Sequence, residues 1–260
     1  MKSANIIVVG GGIIGVSLAY GMAEQGEKVT VLDNGKGVNN ASRGNFGLVW
    51  VQGKGAGMPR YAQWTMEAAQ TWQTFSEKLG EKTGFAIDYE KQGGFEVCLG
   101  ETAWSQRKVE LEQLQRESSF VKYDFQMLDR QSVQDLIPGM LLGEAVTGAS
   151  FSPHDGHLNP LKLLKALIAA LGKYGVTLYS DQQVESIFIG MTVLKSKHCG
   201  KFFGKKNSAG LWLGIKARAQ QVGLEIPMRP QRGQILVTER TKPLLHIPLS
   251  PCDRLGKDHS

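Results

Sequence analysis

Cysteine is scarce in this chain of 260 residues: only Cys98, Cys199 and Cys252 occur, far apart and without a C-x-x-C pair. That usage excludes a disulfide framework, argues against structural zinc and points to a reducing, cytoplasmic compartment. Long apolar runs are lacking as well, so no segment reaches membrane-spanning length. The run Ile6 to Ile14 is short and broken by glycines, which sets it apart from a secretory signal. Acidic residues are missing altogether from Phe188 to Arg218, which holds 7 basic ones: Lys195, Lys197, Lys201, Lys205, Lys206, Lys216 and Arg218. This one stretch accounts for the whole net charge of +6, so the basicity is local and reads as a solvated face; no nucleic-acid partner is expected. Hydrophobic residues make up 42% of the chain, enough for a sizeable core.

The densest information lies in the first 33 residues. Ile6-Ile7-Val8-Val9 is a β-branched apolar run of the kind buried parallel strands use. Gly10-Gly11-Gly12-Ile13-Ile14-Gly15 follows and fits G-x-G-x-x-G at Gly10, Gly12 and Gly15. The first glycine permits a sharp turn, the second a close approach by a diphosphate, and the third a tightly packed helix. Val16, Ala19, Tyr20 and Ala23 form one stripe of the helix that follows, and Gly26 ends it. Val29 to Leu32 is a second buried strand, and Asp33 stands at its end, where a carboxylate can hold the ribose hydroxyls of an adenosine. Strand, glycine spacing, helix and acid together predict a βαβ dinucleotide site with its phosphates at the helix N-terminus.

Downstream, Asn40 to Trp50 is small, polar and glycine-rich before turning apolar, a loop suited to further cofactor contact through Gly44 and Gly47. Met58 to Leu79 has helical spacing, with Tyr61, Trp64, Thr65, Ala68, Trp72, Phe75 and Leu79 as its core stripe. A strand over Gly93 to Leu99 and a polar helix over Glu101 to Phe120, its charges solvated, come next. Asp129 caps a short helix to Ile137, and Ala145 to Phe151 is a strand. In Ser152 to Pro160, His154, Asp155 and His157 resemble metal ligands, yet a turn before a helix explains them, and no metal is expected. Asn159 and Pro160 open a helix to Tyr174, followed by strands at Val176 to Tyr179 and Gln183 to Ile187. Ile226 to Glu239 reads as a turn and a strand, with Arg232 placed to meet an anionic substrate.

Four of these stretches, in this order, resemble the FAD-dependent D-amino-acid/glycine oxidase family, which includes sarcosine, opine and hydroxyproline oxidases or dehydrogenases. They are Ile6 to Gly15 with Asp33, Ser42 to Leu48, Asp155 to Pro160, and Pro230 to Gln234. Within the family the likeness runs to the β-type subunits of opine, hydroxyproline or cyanide-forming glycine dehydrogenases. The resemblance implies an α/β fold: a Rossmann-like FAD-binding domain with an interleaved α+β substrate domain, incomplete at the C-terminus. The FAD-binding part is expected at 1–84 and 145–220, the substrate part at 85–144 and 221–249, and an irregular tail at 250–260. FAD would be the cofactor, contacted by Gly10, Gly12, Ile14, Gly15, Asp33, Ser42, Arg43, Gly47 and Leu48, with its adenine against the backbone of Val184. An amino acid or amine would be the substrate, oxidised at its C–N bond by hydride transfer to the flavin; hetero-oligomeric partner subunits are implied, and no side-chain base stands out. Two stretches depart from the family pattern: Phe188 to Arg218, where alternation is poor, and Ser250 to Ser260, where no strand pattern survives. Both read as changes of reading frame, against the alternative of a variant with a basic insertion. The competing functional readings are an inactive remnant or accessory subunit that at most binds FAD, and an NAD-binding protein, which the Ser42 to Leu48 loop disfavours.

Overall fold

The computed structural model describes residues 2–35, 41–117, 123–188, 193–196, 200–209, 215–229, 234–239, 242 and 245–251. Its elements in chain order are β1 (Lys2–Val9), α1 (Ile13–Glu24), β2 (Val29–Leu32), β3 (Leu48–Val49), α2 (Pro59–Thr83), β4 (Gly94–Leu99), α3 (Gly100–Glu117), β5 (Gln126–Asp129) and α4 (Arg130–Leu136). They continue with β6 (Val146–Ser152), β7 (Gly156–His157), α5 (Pro160–Lys173), β8 (Thr177–Tyr179), β9 (Val184–Phe188), β10 (Val193–Ser196), β11 (Gly200–Ala209), α6 (Ile215–Gln220) and β12 (Leu249–Pro251). The chain divides into two compact units, one of residues 1–46, 77–87 and 159–236, the other of 47–76, 88–158 and 237–260.

The first unit is built on a six-stranded sheet of order β8-β2-β1-β11-β10-β9. β8, β2, β1 and β11 run parallel, and β10 alone is reversed, pairing antiparallel with β11 on one side and with β9 on the other. Central β1 pairs Val8 with Val31 of β2 and with Ser208 of β11, so the β-branched run Ile6 to Val9 is buried by its neighbours, as parallel strands require. α1 buries Gly15, Val16, Ala19, Tyr20 and Ala23 and packs on α5, whose inner face is Leu163, Leu164, Ala166, Leu167, Ala170 and Leu171. Asn159 caps α5, its side-chain oxygen accepting from the N–H groups of Leu161 and Lys162, with Pro160 in the first turn.

The second unit holds a four-stranded sheet of order β12-β4-β6-β5 and a two-stranded ribbon of β3 and β7. α3 and α4 pack on β6. The core of this sheet gathers Phe95, Val133, Ile137 and Ala149, with Leu245, Ile247 and Leu249 packed against it.

Several expectations change. Phe188 to Arg218, read as a break in the pattern, contributes β10, β11 and α6, and β11 is the direct neighbour of β1. β12 pairs in parallel with Phe95 to Val97 and takes in Ser250 and Pro251, the first two residues of the expected irregular tail. The strand expected within Ile226 to Glu239 is not formed among the described residues of that stretch; Leu236 and Val237 lie exposed there. The compact units are drawn along other lines than the expected domains: 47–76 and 145–158 fall in the second unit, 85–87 and 221–236 in the first. Trp64, read as core, is 69% exposed: α2 buries Ala62, Met66 and Ala69 instead, a face rotated from the aromatic stripe. Trp72 meets its expectation better, stacking on Tyr89 at 5.9 Å and meeting Phe75 edge-on.

Candidate dinucleotide site

The turn after β1 is shaped by glycine. Gly10 sits at φ +106°, a conformation L side chains avoid, and donates its N–H to Leu32 O at 2.8 Å, tying the turn to the end of β2. A Cβ on Gly15 would lie 1.8 Å from the Gly10 carbonyl oxygen, so the third glycine seats the helix on the turn itself. Gly12 is the N-cap of α1 and its carbonyl accepts from Val16 N at 3.0 Å. The first turn of α1 contains no acidic residue, and the N-cap has no side chain to offer. Ser42 Oγ accepts from Ile13 N at 2.9 Å. The amides of Ile14 and Gly15 fall within the first turn, where α-helical N–H groups have no partner four residues back.

Asp33 leans into the same turn. Its Oδ2 accepts from Gly11 N at 2.7 Å and its Oδ1 from Gly35 N at 2.9 Å. Its backbone is held on both sides, Asp33 N donating to Tyr179 O at 2.9 Å and Gln182 N to Asp33 O at 2.6 Å. The chain beyond Gln182 enters β9, and Val184 joins Ile7, Val9, Leu32 and Phe202 in one buried cluster. Ser196 Oγ donates to Gln182 Oε1 at 2.7 Å, fixing the start of that edge strand.

This geometry fits an adenine dinucleotide. A helix N-terminus without an acid, with the Ile14 and Gly15 amides in its first turn, suits a diphosphate. A carboxylate with two oxygens has about four acceptor sites, so Asp33 keeps capacity for ribose hydroxyls beside the two amides it already serves. Gly10, Gly12, Ile14, Gly15, Asp33 and Ser42 thus adjoin one turn of the first unit, while Val184 lies on β9, packed in the core with Val9 and Leu32. Arg43 is exposed in the turn that contains Ser42. Gly47 and Leu48 belong to the second unit, where Leu48 pairs with His157 and Gly47 O accepts from Leu158 N at 2.9 Å. Arg232 lies outside the described residues.

The second unit contains a buried polar cluster that sequence reasoning missed. Arg107, assigned to a solvated helix, is 3% exposed and forms ion pairs with Glu96 at 2.6 Å and Glu110 at 2.8 Å. It also donates to Ser150 Oγ at 3.0 Å and to Gln52 Oε1 at 3.2 Å. Asp155 is fully buried and accepts from Val51 N at 2.6 Å and from Gln52 Nε2 at 2.7 Å. Burial pushes its carboxyl up to about 6, partly offset by those hydrogen bonds. The signal for Arg107 was present: it shares the helical stripe of Ala103, Leu111 and Leu114, all buried.

Comparison with known proteins agrees with this architecture. The family model described as DAO, FAD dependent oxidoreductase, matches residues 5–259. The chain is 35% identical over 258 residues to one subunit of the opine oxidase of Agrobacterium tumefaciens (strain Ach5), covering 98% of this chain and 67% of that protein. It is 24% identical over 248 residues to glycine oxidase of Geobacillus kaustophilus (strain HTA426), covering 93% of this chain and 63% of that one. Among solved structures, glycine oxidase from Geobacillus kaustophilus superposes with a TM-score of 0.75 at 22% identity, covering 86% of this chain and 60% of that chain. L-proline dehydrogenase from P. horikoshii gives 0.70 at 19% identity, covering 86% and 56%. Likeness at that identity establishes the fold, a Rossmann-like α/β arrangement. Taken with the family match across nearly its whole length, it follows that the chain belongs to the DAO family of FAD-dependent oxidoreductases.

Proposed function

We propose that this protein is a subunit of an FAD-dependent oxidoreductase that oxidises the C–N bond of an amino acid or secondary amine, with opines, glycine or sarcosine, hydroxyproline and D-amino acids as the candidate substrates. The observation that carries the reading is the Gly10 to Gly15 turn with Asp33 bonded across it to Gly11, inside a chain that matches the FAD-dependent family from residue 5 onward. On this reading the amides of Ile14 and Gly15 at the N-terminus of α1 hold the diphosphate, Ser42 fixes the first amide of the helix, and Asp33 binds the ribose. Val184 borders the adenine through its backbone, Arg43 offers its backbone to the diphosphate, and Gly47 and Leu48 offer theirs to the flavin end. Bound flavin supplies the hydride acceptor, so the chain's task is to hold, orient and desolvate. Arg232 is assigned to an anionic group of the substrate, since a guanidinium matches a carboxylate bidentately. Two relatives are named as subunits of an opine oxidase, which supports a partner for this chain as well.

Titration of the purified chain with FAD, followed by flavin fluorescence, tests the cofactor. Anaerobic addition of sarcosine, proline, a D-amino acid or an opine then tests the reaction through bleaching of the flavin band. Failure to bind FAD refutes the reading. Binding without bleaching by any of the four favours an accessory FAD-binding subunit over the enzyme.

A further inference from the structure

The segment Trp50-Val51-Gln52, directly after β3, is held residue by residue from the interior of the second unit. Trp50 Nε1 donates to Glu96 Oε1 at 3.0 Å. Val51 N donates to Asp155 Oδ1 at 2.6 Å, and Gln52 N reaches the same oxygen at 3.4 Å. Gln52 Nε2 divides its two hydrogens between Asp155 Oδ2 at 2.7 Å and Gly94 O at 2.9 Å. Gln52 Oε1 accepts from Ser150 Oγ at 2.7 Å and from Arg107 Nη2 at 3.2 Å. Each polar atom of the Gln52 amide is thereby assigned a direction, and its donor side must face an acceptor on Asp155.

Asp155 stands one residue before β7, and Val51 stands two residues after β3. Along this antiparallel ribbon Leu48 faces His157 and Val49 faces Gly156. The ribbon is closed at one end by Leu158 N donating to Gly47 O at 2.9 Å. At the other end the next ladder position is taken over by the Asp155 side chain, which reaches Val51 N where a strand carbonyl would otherwise do so. Gly94 packs closely against both sides: a Cβ there would sit 2.4 Å from the Trp50 ring and 2.9 Å from Asp155 Cβ.

We infer that Asp155 is a positioning residue: by tying the chain after β3 to the chain before β7, it fixes the backbone of Gly47 and Leu48 in the form that receives the flavin. The inference rests on the proposed role of those two residues. A carboxylate is required because amide donors converge on both its oxygens. An asparagine would turn its own NH₂ against Gln52 Nε2, and Gln52 cannot rotate to answer without setting its NH₂ against Arg107.

The test uses the full chain, wild type, Asp155→Asn and the reciprocal double variant Asp155→Asn/Gln52→Glu, in which donor and acceptor change places between the two side chains while the bond from Gln52 to Gly94 O is lost, so that recovery is partial. Amide hydrogen exchange at Val51 and Gln52 is measured without FAD, and the FAD dissociation constant and flavin absorption envelope with it. Asp155→Asn is expected to speed exchange at both amides at least tenfold and to weaken FAD at least tenfold, with circular dichroism unchanged. The double variant is expected to recover at least threefold in each. A folded Asp155→Asn chain with wild-type exchange at Val51, or with faster exchange but wild-type FAD affinity and spectrum, overturns the inference. Should the single variant not fold, the double variant decides: folded but without recovered FAD affinity, it also overturns it. A wild-type chain that binds no FAD sinks the functional reading instead, and the exchange data still show separately whether Asp155 holds Val51.

Discussion

Replacing Gly15 by alanine probes the dinucleotide turn most directly. The new methyl carbon would start 1.8 Å from the Gly10 carbonyl oxygen and 2.9 Å from its carbon. Carbon–oxygen contacts below 3.0 Å are essentially never seen at a Cβ, so one group must retreat by more than 1 Å. The obstacle is backbone, and that backbone is already committed: Gly10 holds φ +106° and is bonded to Leu32. The relief available is withdrawal of α1, which carries the amides of Ile14 and Gly15 away from the phosphate position. Overpacking of this kind costs about 1–3 kcal/mol. A loss of even about 1.4 kcal/mol of that from cofactor binding weakens FAD roughly tenfold. The matched control is Gly21→Ala in the same helix, where a Cβ meets nothing within 4 Å. That change is expected to leave FAD affinity alone and to stabilise the chain by about 0.5–1 kcal/mol, since alanine favours helix over glycine. FAD titration by fluorescence and thermal melts of both variants make the comparison. The reasoning fails if Gly15→Ala binds FAD within twofold of wild type at an unchanged melting temperature, or if Gly21→Ala is equally harmful.

Two further outcomes follow from the fold. Asn159→Ala removes the acceptor for two first-turn amides of α5, at Leu161 and Lys162, and should destabilise the chain by about 1 kcal/mol in denaturant unfolding. The Asp155 carboxyl, raised by burial to about 6 against roughly 3.9 in an unfolded chain, binds its proton more tightly when folded. Its contribution to stability is therefore complete below about pH 3.9 and is lost as pH rises through about 6, an order-of-magnitude loss of about 3 kcal/mol by linkage. Measured from pH 4 to 7, the unfolding free energy of wild type should fall by about that amount relative to Asp155→Asn, which has no carboxyl to titrate there; parallel curves would refute the assignment.

The dinucleotide unit was readable because its requirements are local. Gly10, Gly15 and Asp33 each answer to a turn, a close approach or a strand end within 33 residues. β11 was not readable: alternation is poor in Gly200 to Ala209, and what makes it a strand is its pairing with β1. In α2 the periodicity was right and its phase failed only in the first turns, where the small residues Ala62 and Ala69 mark the buried face and the larger Trp64 projects beside it, whereas Leu79 of the expected stripe is fully buried. Arg107 showed its burial by its place on the apolar stripe of α3, but its partners Glu96 on β4 and Ser150 on β6 come from distant segments and were not readable.

The sheet order has a consequence for synthesis. Central strand β1, which leads into the glycine turn, gains one of its two neighbours only when residues 200–209 have been made. At about 5–20 residues per second, a ribosome needs on the order of 10–40 s to deliver them. Through that interval the nascent amino-terminal segment carries a bare, β-branched edge, a template for mispairing. Such a chain is a natural client for chaperones that shield unfinished sheets, and its yield in the cell should fall when translation slows after the first strands have emerged.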